Sequence, residues 1–428
     1  MLTKEQLKKI LEEQRDSILK KKLGVERILL DGIENKRKLP HIVVITGIRR
    51  SGKSTLLRQI IKRYYKDEDF YYINFEDERL FDFKAENFND IYESLLELFG
   101  EKKTFFIDEI QNIANFENFV RRFYDNGFKF FITGSNAKLL SKELGTKLTG
   151  RHVDIVVRPF SFLEFLKMRE FEFDKKMLYK TETIVKLKKY FLEYVSKGGM
   201  PEYLIYDDKE ILARIYEDIV TKDIIVRGGV DNPRQLKELY QYLVNNFSNR
   251  FSFNSLKKII NFGSVNTIKK YIEYLEESYF AKVINKFDYS IKKQLVNEKK
   301  LYVIDNGFIT TLITKFTKDK GWALENLVFN VLKCDFEVFY YSNKQECDFI
   351  ISENKRIKSA IQVCWELTES NREREVRGLL GAIESFKLNE GLILTYDQED
   401  EMTIEKKKIV VKPVWKWLLE GLNDKERG

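Results

Sequence analysis

"VVITGIRRSGKST", residues 43–55, sets a glycine-framed lysine directly after a run of β-branched residues. Gly47 is followed by four residues and then by Gly52, Lys53 and Ser54, which is the phosphate-loop spacing G-x-x-x-x-G-K-[ST]. The residue types fit the task. Glycines let backbone N–H groups turn inward around phosphate oxygens, Lys53 is long enough to reach the β- and γ-phosphates, and the Ser54 hydroxyl is a ligand for Mg²⁺. Arg50, Ser51 and Thr55 complete the expected nucleotide contacts. The flanks agree: "HIVVIT" predicts a buried parallel strand, and "STLLRQIIKRYY" a helix with apolar residues at helical spacing. The N-terminus of that helix favours an anion.

Working outward, residues from about Val43 to Val157 alternate apolar strands with amphipathic helices, the pattern of a parallel sheet covered on both faces. Strands are expected at 42–46, 70–75, 104–107, 129–133 and 153–157. The third ends in "FFIDEIQN", so that Asp108 is expected to hold the Mg²⁺ water shell and Glu109 to polarise the attacking water. Four apolar residues before this pair argue against a mere surface turn. The strand at 70–75 is expected to lie between the phosphate loop and the acid pair, as the inserted strand of AAA+ and related ATPases does. Ser135 or Asn136, after "FKFFITG", is the candidate for sensing the γ-phosphate. Arg151, just before the fifth strand, is the candidate arginine finger toward a neighbouring subunit.

Further along, 232–305 reads as helix "RQLKELYQYLVNNF", helix "FNSLKKIINFG", a turn at Gly263-Ser264, and helix "VNTIKKYIEYLEES". Two strand-like stretches follow, and the whole predicts a winged helix-turn-helix. Asn266, Thr267, Lys269 and Lys270 are its candidate DNA-reading residues. From 306 onward helix and strand alternate again, giving a second α/β domain.

Composition sets bounds on function. The chain has 428 residues, 43% hydrophobic and 33% charged, as in a globular protein of several domains rather than a disordered or fibrous one. Seventy-five Lys and Arg against 67 Asp and Glu give a net +8, which permits a nucleic-acid partner without requiring one. Three cysteines without ligand spacing predict neither a disulfide framework nor a zinc site. The charged N-terminus lacks a signal core and no apolar run is long enough to span a bilayer, so a cytoplasmic location without membrane association is expected.

The order "GIRRSGKSTLL", "YYINFEDERL", "FFIDEIQN", "FITGSNAKLL", "LTGRHVDIVVRPFSFLEF", "GGMPEYL", "LYVIDNG", "ECDFII" and "IQVCWEL" resembles the prokaryotic, especially archaeal, AAA+ ATPases with a C-terminal domain of unknown function. The likeness runs from about Gly24 to Val411. It implies an α/β fold with a P-loop AAA+ parallel sheet, a helical lid, a winged helix and a C-terminal restriction-endonuclease-like domain. The expected segments are an N-terminal helical stretch (1–35), the ATPase core (36–165), the lid (166–231), the winged helix (232–305) and the nuclease-like domain (306–428). That last fold, PD-(D/E)xK, needs acids and a lysine. Glu325 and Asp348 match the acids, but the later positions hold Gln362 and Cys364, which bring neither carboxylate nor ammonium. An inactive domain kept for binding or assembly is expected. The functional expectation is a Mg²⁺-dependent, homo-oligomeric ATPase acting on duplex or branched DNA. The alternatives are a nucleotide switch that clamps a protein partner and an ATP-gated nuclease.

Overall fold

The computed structural model describes residues 2–66, 69–135, 148, 150–313 and 320–421. Asn136 lies outside them. The chain divides into two compact units, one formed by Met1–Pro159 with Glu277–Tyr279 and the other by Phe160–Glu276 with Phe280–Gly428. The five segments expected from the sequence are thus gathered into two bodies.

The first unit is built on a parallel sheet of β1 (Ile42–Thr46), β2 (Tyr71–Asn74), β3 (Thr104–Asp108), β4 (Lys129–Gly134) and β5 (His152–Val156). Its order is β2-β3-β4-β1-β5. In space the strand separating the phosphate-loop strand from the acid-pair strand is therefore β4, while β2 lies at the edge. Both faces are covered, and the strand period of two sorts their residues. Ile42, Val44, Phe105, Ile107, Phe130 and Ile132 enter one core, while Val43, Ile45, Phe106 and Phe131 enter the other. Phenylalanines stack across the β3–β4 pair on each face, with ring centroids 5.2 Å apart for Phe105 and Phe130 and 4.7 Å for Phe106 and Phe131. The N-terminal stretch is part of this body: α1 (Lys4–Lys20), opened by a Thr3–Gln6 capping box, buries Leu7, Ile10 and Leu11 in the first core. Helix α2 (Leu29–Lys38) precedes β1, and α3 (Lys53–Tyr64) starts at the phosphate loop. Helices α4 (Phe88–Phe99) and α5 (Phe116–Asp125) complete the layers.

The second unit begins with α6 (Phe162–Met168), α7 (Thr181–Lys197), α8 (Pro201–Tyr206) and α9 (Lys209–Asp218), the last continuing as a π-helical stretch over Ile219–Val226. Then come α10 (Pro233–Asn245), β6 (Arg250–Phe251), α11 (Phe253–Ile260), α12 (Val265–Glu277), β7 (Ala281–Asn285), α13 (Ile291–Val296) and β8 (Lys299–Val303). The three strands form an antiparallel sheet ordered β6-β8-β7. After α14 (Asn306–Leu312), α15 (Gly321–Leu332) leads into an antiparallel meander of β9 (Glu337–Ser342), β10 (Glu346–Glu353) and β11 (Arg356–Val363). Helix α16 (Glu369–Ser385) then carries the chain to β12 (Glu390–Thr395), parallel to β11. Strands β13 (Asp400–Ile404) and β14 (Lys407–Pro413) extend this sheet, and α17 (Val414–Gly421) follows.

The "GGMPEYL" and "LYVIDNG" stretches meet in a buried clasp. The Asp305 carboxylate accepts from the Gly199 N–H at 2.6 Å and from the Gly307 N–H at 2.9 Å. Gly198 has φ +72°, and a Cβ there would lie 1.9 Å from Asp305 Oδ1. At Gly199 a Cβ would lie 2.1 Å from the Phe160 carbonyl oxygen. Burial pushes the Asp305 carboxyl up to about 6, against the pull of the two backbone donors.

Candidate functional site

At the C-terminal ends of β1, β3 and β4, the first unit assembles the residues expected for nucleotide. Gly47 has φ 143° and Gly52 φ 99°, conformations that a β-carbon disfavours. At Gly47 that atom would also lie 2.1 Å from the Val157 carbonyl oxygen. Arg50 shares the left-handed region at φ 65°. Lys53 is buried at the start of α3, its ammonium donating to the Gly47 and Ile48 carbonyl oxygens at 3.3 Å each, with Glu109 Oε1 3.8 Å away. Thr55, one turn into α3, accepts from Arg58 at 2.8 Å.

Asp108 is buried at the tip of β3, where β4 pairs alongside. Thr133 Oγ1 donates to its Oδ1, and the Tyr72 hydroxyl lies 3.4 Å from Oδ2. Burial, then the adjacent Glu109 charge, pushes this carboxyl up; hydrogen bonds from Thr133 and Ser54 and the Lys53 charge pull it back. A buried carboxylate beside the Ser54 hydroxyl is a donor set that fits Mg²⁺. Glu109 takes a left-handed conformation, φ 52°. Its N–H donates to Thr133 Oγ1 at 2.9 Å, and Gln111 Nε2 donates to its carboxylate. A non-glycine residue in that region carries strain of order 1 kcal/mol, which Thr133 and Gln111 hold in place.

Two contributors had no sequence signal. Arg27 is buried and donates to the Ser51 carbonyl at 2.8 Å and the Arg158 carbonyl at 2.7 Å, tying the segment before α2 to the phosphate loop. Gln59 fixes that segment through the Leu23 and Val25 carbonyls. Thr133 was legible in hindsight as the polar residue closing an apolar strand.

Residues 39–166 match the model of the AAA domain, and residues 188–319 match a domain of unknown function, DUF8612. The chain is 39% identical over 437 residues to the uncharacterized protein MJ1544 of Methanocaldococcus jannaschii, covering 94% of this chain and 97% of that one. It belongs to that protein's family. Another member of the comparison, an uncharacterized protein of Haemophilus influenzae, is 29% identical over 397 residues, 89% of this chain and 94% of the other. Among solved structures, the ORC2 protein of Aeropyrum pernix in its ADP form gives a TM-score of 0.31 at 11% identity, over 63% of this chain and 86% of that one. The match over residues 39–166, together with the phosphate loop at 47–54, makes the first unit of this family member a P-loop domain of the AAA type.

The other candidates fall elsewhere. Arg151 precedes β5, whose His152 pairs with Ile42, so it stands at the end of the sheet away from its own phosphate loop. Its guanidinium binds Asp125 Oδ1 at 2.6 Å and lies 5.6 Å from the Tyr124 ring. Ser135 is buried 3.4 Å from Gln111 Nε2. On α12, Asn266, Lys269 and Lys270 are exposed and Thr267 half-buried, while Ile268, Tyr271, Ile272 and Leu275 face inward.

In the second unit Glu325 (α15) and Asp348 (β10) do come together, but around a residue not expected there. Lys300, from β8, places its ammonium 3.3 Å from Glu325, 3.8 Å from Asp348 and 2.5 Å from Glu346. Gln362 is committed: its Oε1 accepts from the Asp348 N–H at 3.2 Å and its Nε2 donates to Glu375 at 2.6 Å. Cys364 is buried. Among the described residues, no group of three or more His, Cys, Asp and Glu is placed to hold a metal ion. Nor, among them, is any helix long and apolar enough to cross a membrane.

Proposed function

We propose that the chain is a Mg²⁺-dependent ATPase that couples its nucleotide state to binding of DNA, with duplex or branched DNA as the partner. The observation that carries the ATPase reading is the convergence of Lys53, Ser54, Asp108 and Glu109 at one end of the β2-β3-β4-β1-β5 sheet. Lys53 and the loop amides bind the phosphates, and Ser54 and Asp108 hold the metal. Mg²⁺ there would neutralise charge on the β- and γ-phosphate oxygens. Glu109 orients and polarises the attacking water, its carboxylate held by Gln111. Arg151, remote from its own loop, serves a neighbouring copy in a homo-oligomer.

The DNA reading rests on residues 232–305. Their helix–strand–helix–helix–strand–helix–strand order and β6-β8-β7 sheet support a winged helix, and the outer face of α12 offers Asn266, Lys269 and Lys270. One observation favours a protein partner instead. Tyr289, Ile291, Leu295 and Val296, between β7 and β8, are 83%, 73%, 63% and 73% exposed, an apolar set unsuited to phosphates. The order α15, β9-β10-β11 meander, α16, β12 supports the nuclease-like assignment of the last segment.

Fluorescence anisotropy with duplex, forked and four-way DNA, in ATP-analogue and ADP states, tests the coupling. The proposal expects affinity to differ between nucleotide states. Equal, salt-insensitive or absent binding throughout would leave the protein-partner reading. An Arg151→Ala protein mixed 1:1 with Lys53→Ala should recover up to roughly a quarter of wild-type turnover, since that share of random interfaces pairs an intact finger with an intact loop.

A further inference from the structure

A nuclease-like fold implies a divalent metal between Glu325 and Asp348, and the residues present do not fit one. The Lys300 ammonium already lies against both oxygens that such an ion would bridge, Glu325 Oε1 at 3.3 Å and Asp348 Oδ1 at 3.8 Å. Lys300 is 3% exposed. An ion bridging those oxygens would sit within a few ångströms of a fixed positive charge, with little water to screen the repulsion. Three carboxylate oxygens of the cluster carry further partners. Asp348 Oδ2 accepts from the Val363 N–H at 2.9 Å, the Tyr302 hydroxyl donates to Glu325 Oε1 at 2.6 Å, and Arg250 Nε pairs with Glu346 Oε2 at 2.7 Å.

We infer that Lys300 is a built-in counter-cation that stands in the place of a divalent metal, so that this cleft of about 1090 Å³ keeps the acidic framework of a metal site while refusing the metal. The charge balance supports it. Without Lys300, three carboxylates and one guanidinium leave two negative charges, the charge that one divalent ion cancels. With it, the three carboxylates face one ammonium and one guanidinium, and a single negative charge is left. Burial, then Glu325, pushes the Asp348 carboxyl well up, while Lys300 and the Val363 N–H oppose this. Burial alone would pull the Lys300 ammonium down, but Glu325, Asp348 and Glu346 outweigh it and hold the proton on. The lysine comes from β8 and the carboxylates from α15 and β10, so the same group joins the three-stranded sheet to the larger one. This inference is independent of whether the chain binds DNA.

Equilibrium Mn²⁺ binding to metal-stripped, nucleotide-free full-length protein tests it. Wild type and Asp348→Asn should bind Mn²⁺ alike, because Asp348 contributes no metal site while Lys300 is present. Lys300→Met keeps a straight stem of similar length without the charge. It should gain about one Mn²⁺ per chain and a melting temperature that rises with Mn²⁺, both lost again in Lys300→Met/Asp348→Asn. If Lys300→Met folds only with Mn²⁺ present, that dependence is the same result read another way. Wild-type Mn²⁺ binding that disappears in Asp348→Asn overturns the inference, as does a Lys300→Met protein that takes no Mn²⁺ under any condition.

Discussion

Asp108 in the first unit and Asp348 in the second are both buried carboxylates on strands, each with a lysine and a glutamate close by. At Asp108 the lysine serves other groups: Lys53 donates to two backbone carbonyls and lies 3.8 Å from Glu109, and hydroxyls from Ser54, Thr133 and Tyr72 are the partners of the aspartate. At Asp348 the lysine has moved in, with Lys300 Nζ inside a ring of three carboxylates at 2.5–3.8 Å. The residue types are nearly the same and the chemical capacities are opposite. A site whose cation is held back can take a polyanion and a metal together; a site that supplies its own cation has little electrostatic demand for either.

The contrast breaks first under removal of each lysine. Lys53→Ala should cost less stability than Lys300→Met, since the ammonium's hydrogen-bond acceptors are neutral carbonyls and Glu109 lies 3.8 Å away, while nucleotide affinity falls by about 10²-fold or more as the β,γ-phosphates lose a charge-assisted donor. Lys300→Met should do the reverse, lowering the melting temperature in metal-free buffer and leaving nucleotide affinity intact. Calorimetric unfolding beside titration of a fluorescent ATP analogue reads both, and equal stability losses in the two variants would erase the distinction.

A smaller effect separates binding from turnover inside the first site. Glu109→Gln preserves size and can still meet Gln111, so ATP should bind as in wild type while steady-state hydrolysis falls by about 10²–10⁴-fold. Turnover at the wild-type rate would remove Glu109 from the water-activating role.

These differences also mark what the chain discloses in its primary structure. The phosphate loop was legible because its chemistry lies within eight consecutive residues, and the five strands because a period of two in a buried parallel sheet leaves unbroken apolar runs. Their expected ends fall within about a residue of those observed. Lys300 was not legible. It sits in "KKLYVID", where a lysine reads as a strand-edge residue, and its partners are 25, 46 and 48 positions away on other elements. Arg27 was hidden for the same reason, since nothing local says that a guanidinium will fold onto the Ser51 carbonyl. "GGMPEYL" and "LYVIDNG" could be quoted as markers of family, yet their common purpose, the Asp305 clasp, exists only once 106 residues of chain bring Gly199 to the carboxylate.

That clasp supplies a third buried aspartate, satisfied by two backbone N–H groups rather than by a metal or a lysine. Because its folded-state value is raised to about 6, above the usual 3.9 or so of an unfolded chain, the native state holds the proton more tightly. Its contribution is therefore fully present below about pH 4 and is lost as pH rises to about 6. Asp305→Asn, which cannot titrate, should be most destabilised relative to wild type at about pH 4 and below, and the gap should narrow by up to about 2–3 kcal/mol by pH 7. Chemical denaturation across that range measures it. A gap that widens with pH would mean that the carboxylate, not the acid, is the form the fold prefers.

The mildest test concerns lysines that have no buried partner. Lys269 and Lys270 project from α12, near the rings of Phe253 and Tyr274 at 5.4 and 5.6 Å, and their charge remains open to solvent. If they meet DNA, they meet phosphates, and phosphate contacts carry little base information, so binding should tolerate sequence and weaken steeply with salt. Each phosphate contact contributes roughly one unit to the slope of log affinity against log salt. A Lys269→Glu/Lys270→Glu variant should therefore lose up to about two units of slope while ATP hydrolysis without DNA stays at the wild-type rate. Lys300→Met, whose lost charge was already cancelled inside the protein, should leave the slope unchanged in Mn²⁺-stabilised protein. If instead the α12 variant and wild type share one slope and Lys300→Met alters it, the ammonium buried among the carboxylates is the one that DNA reaches, and the contrast between an open first site and a closed second one fails.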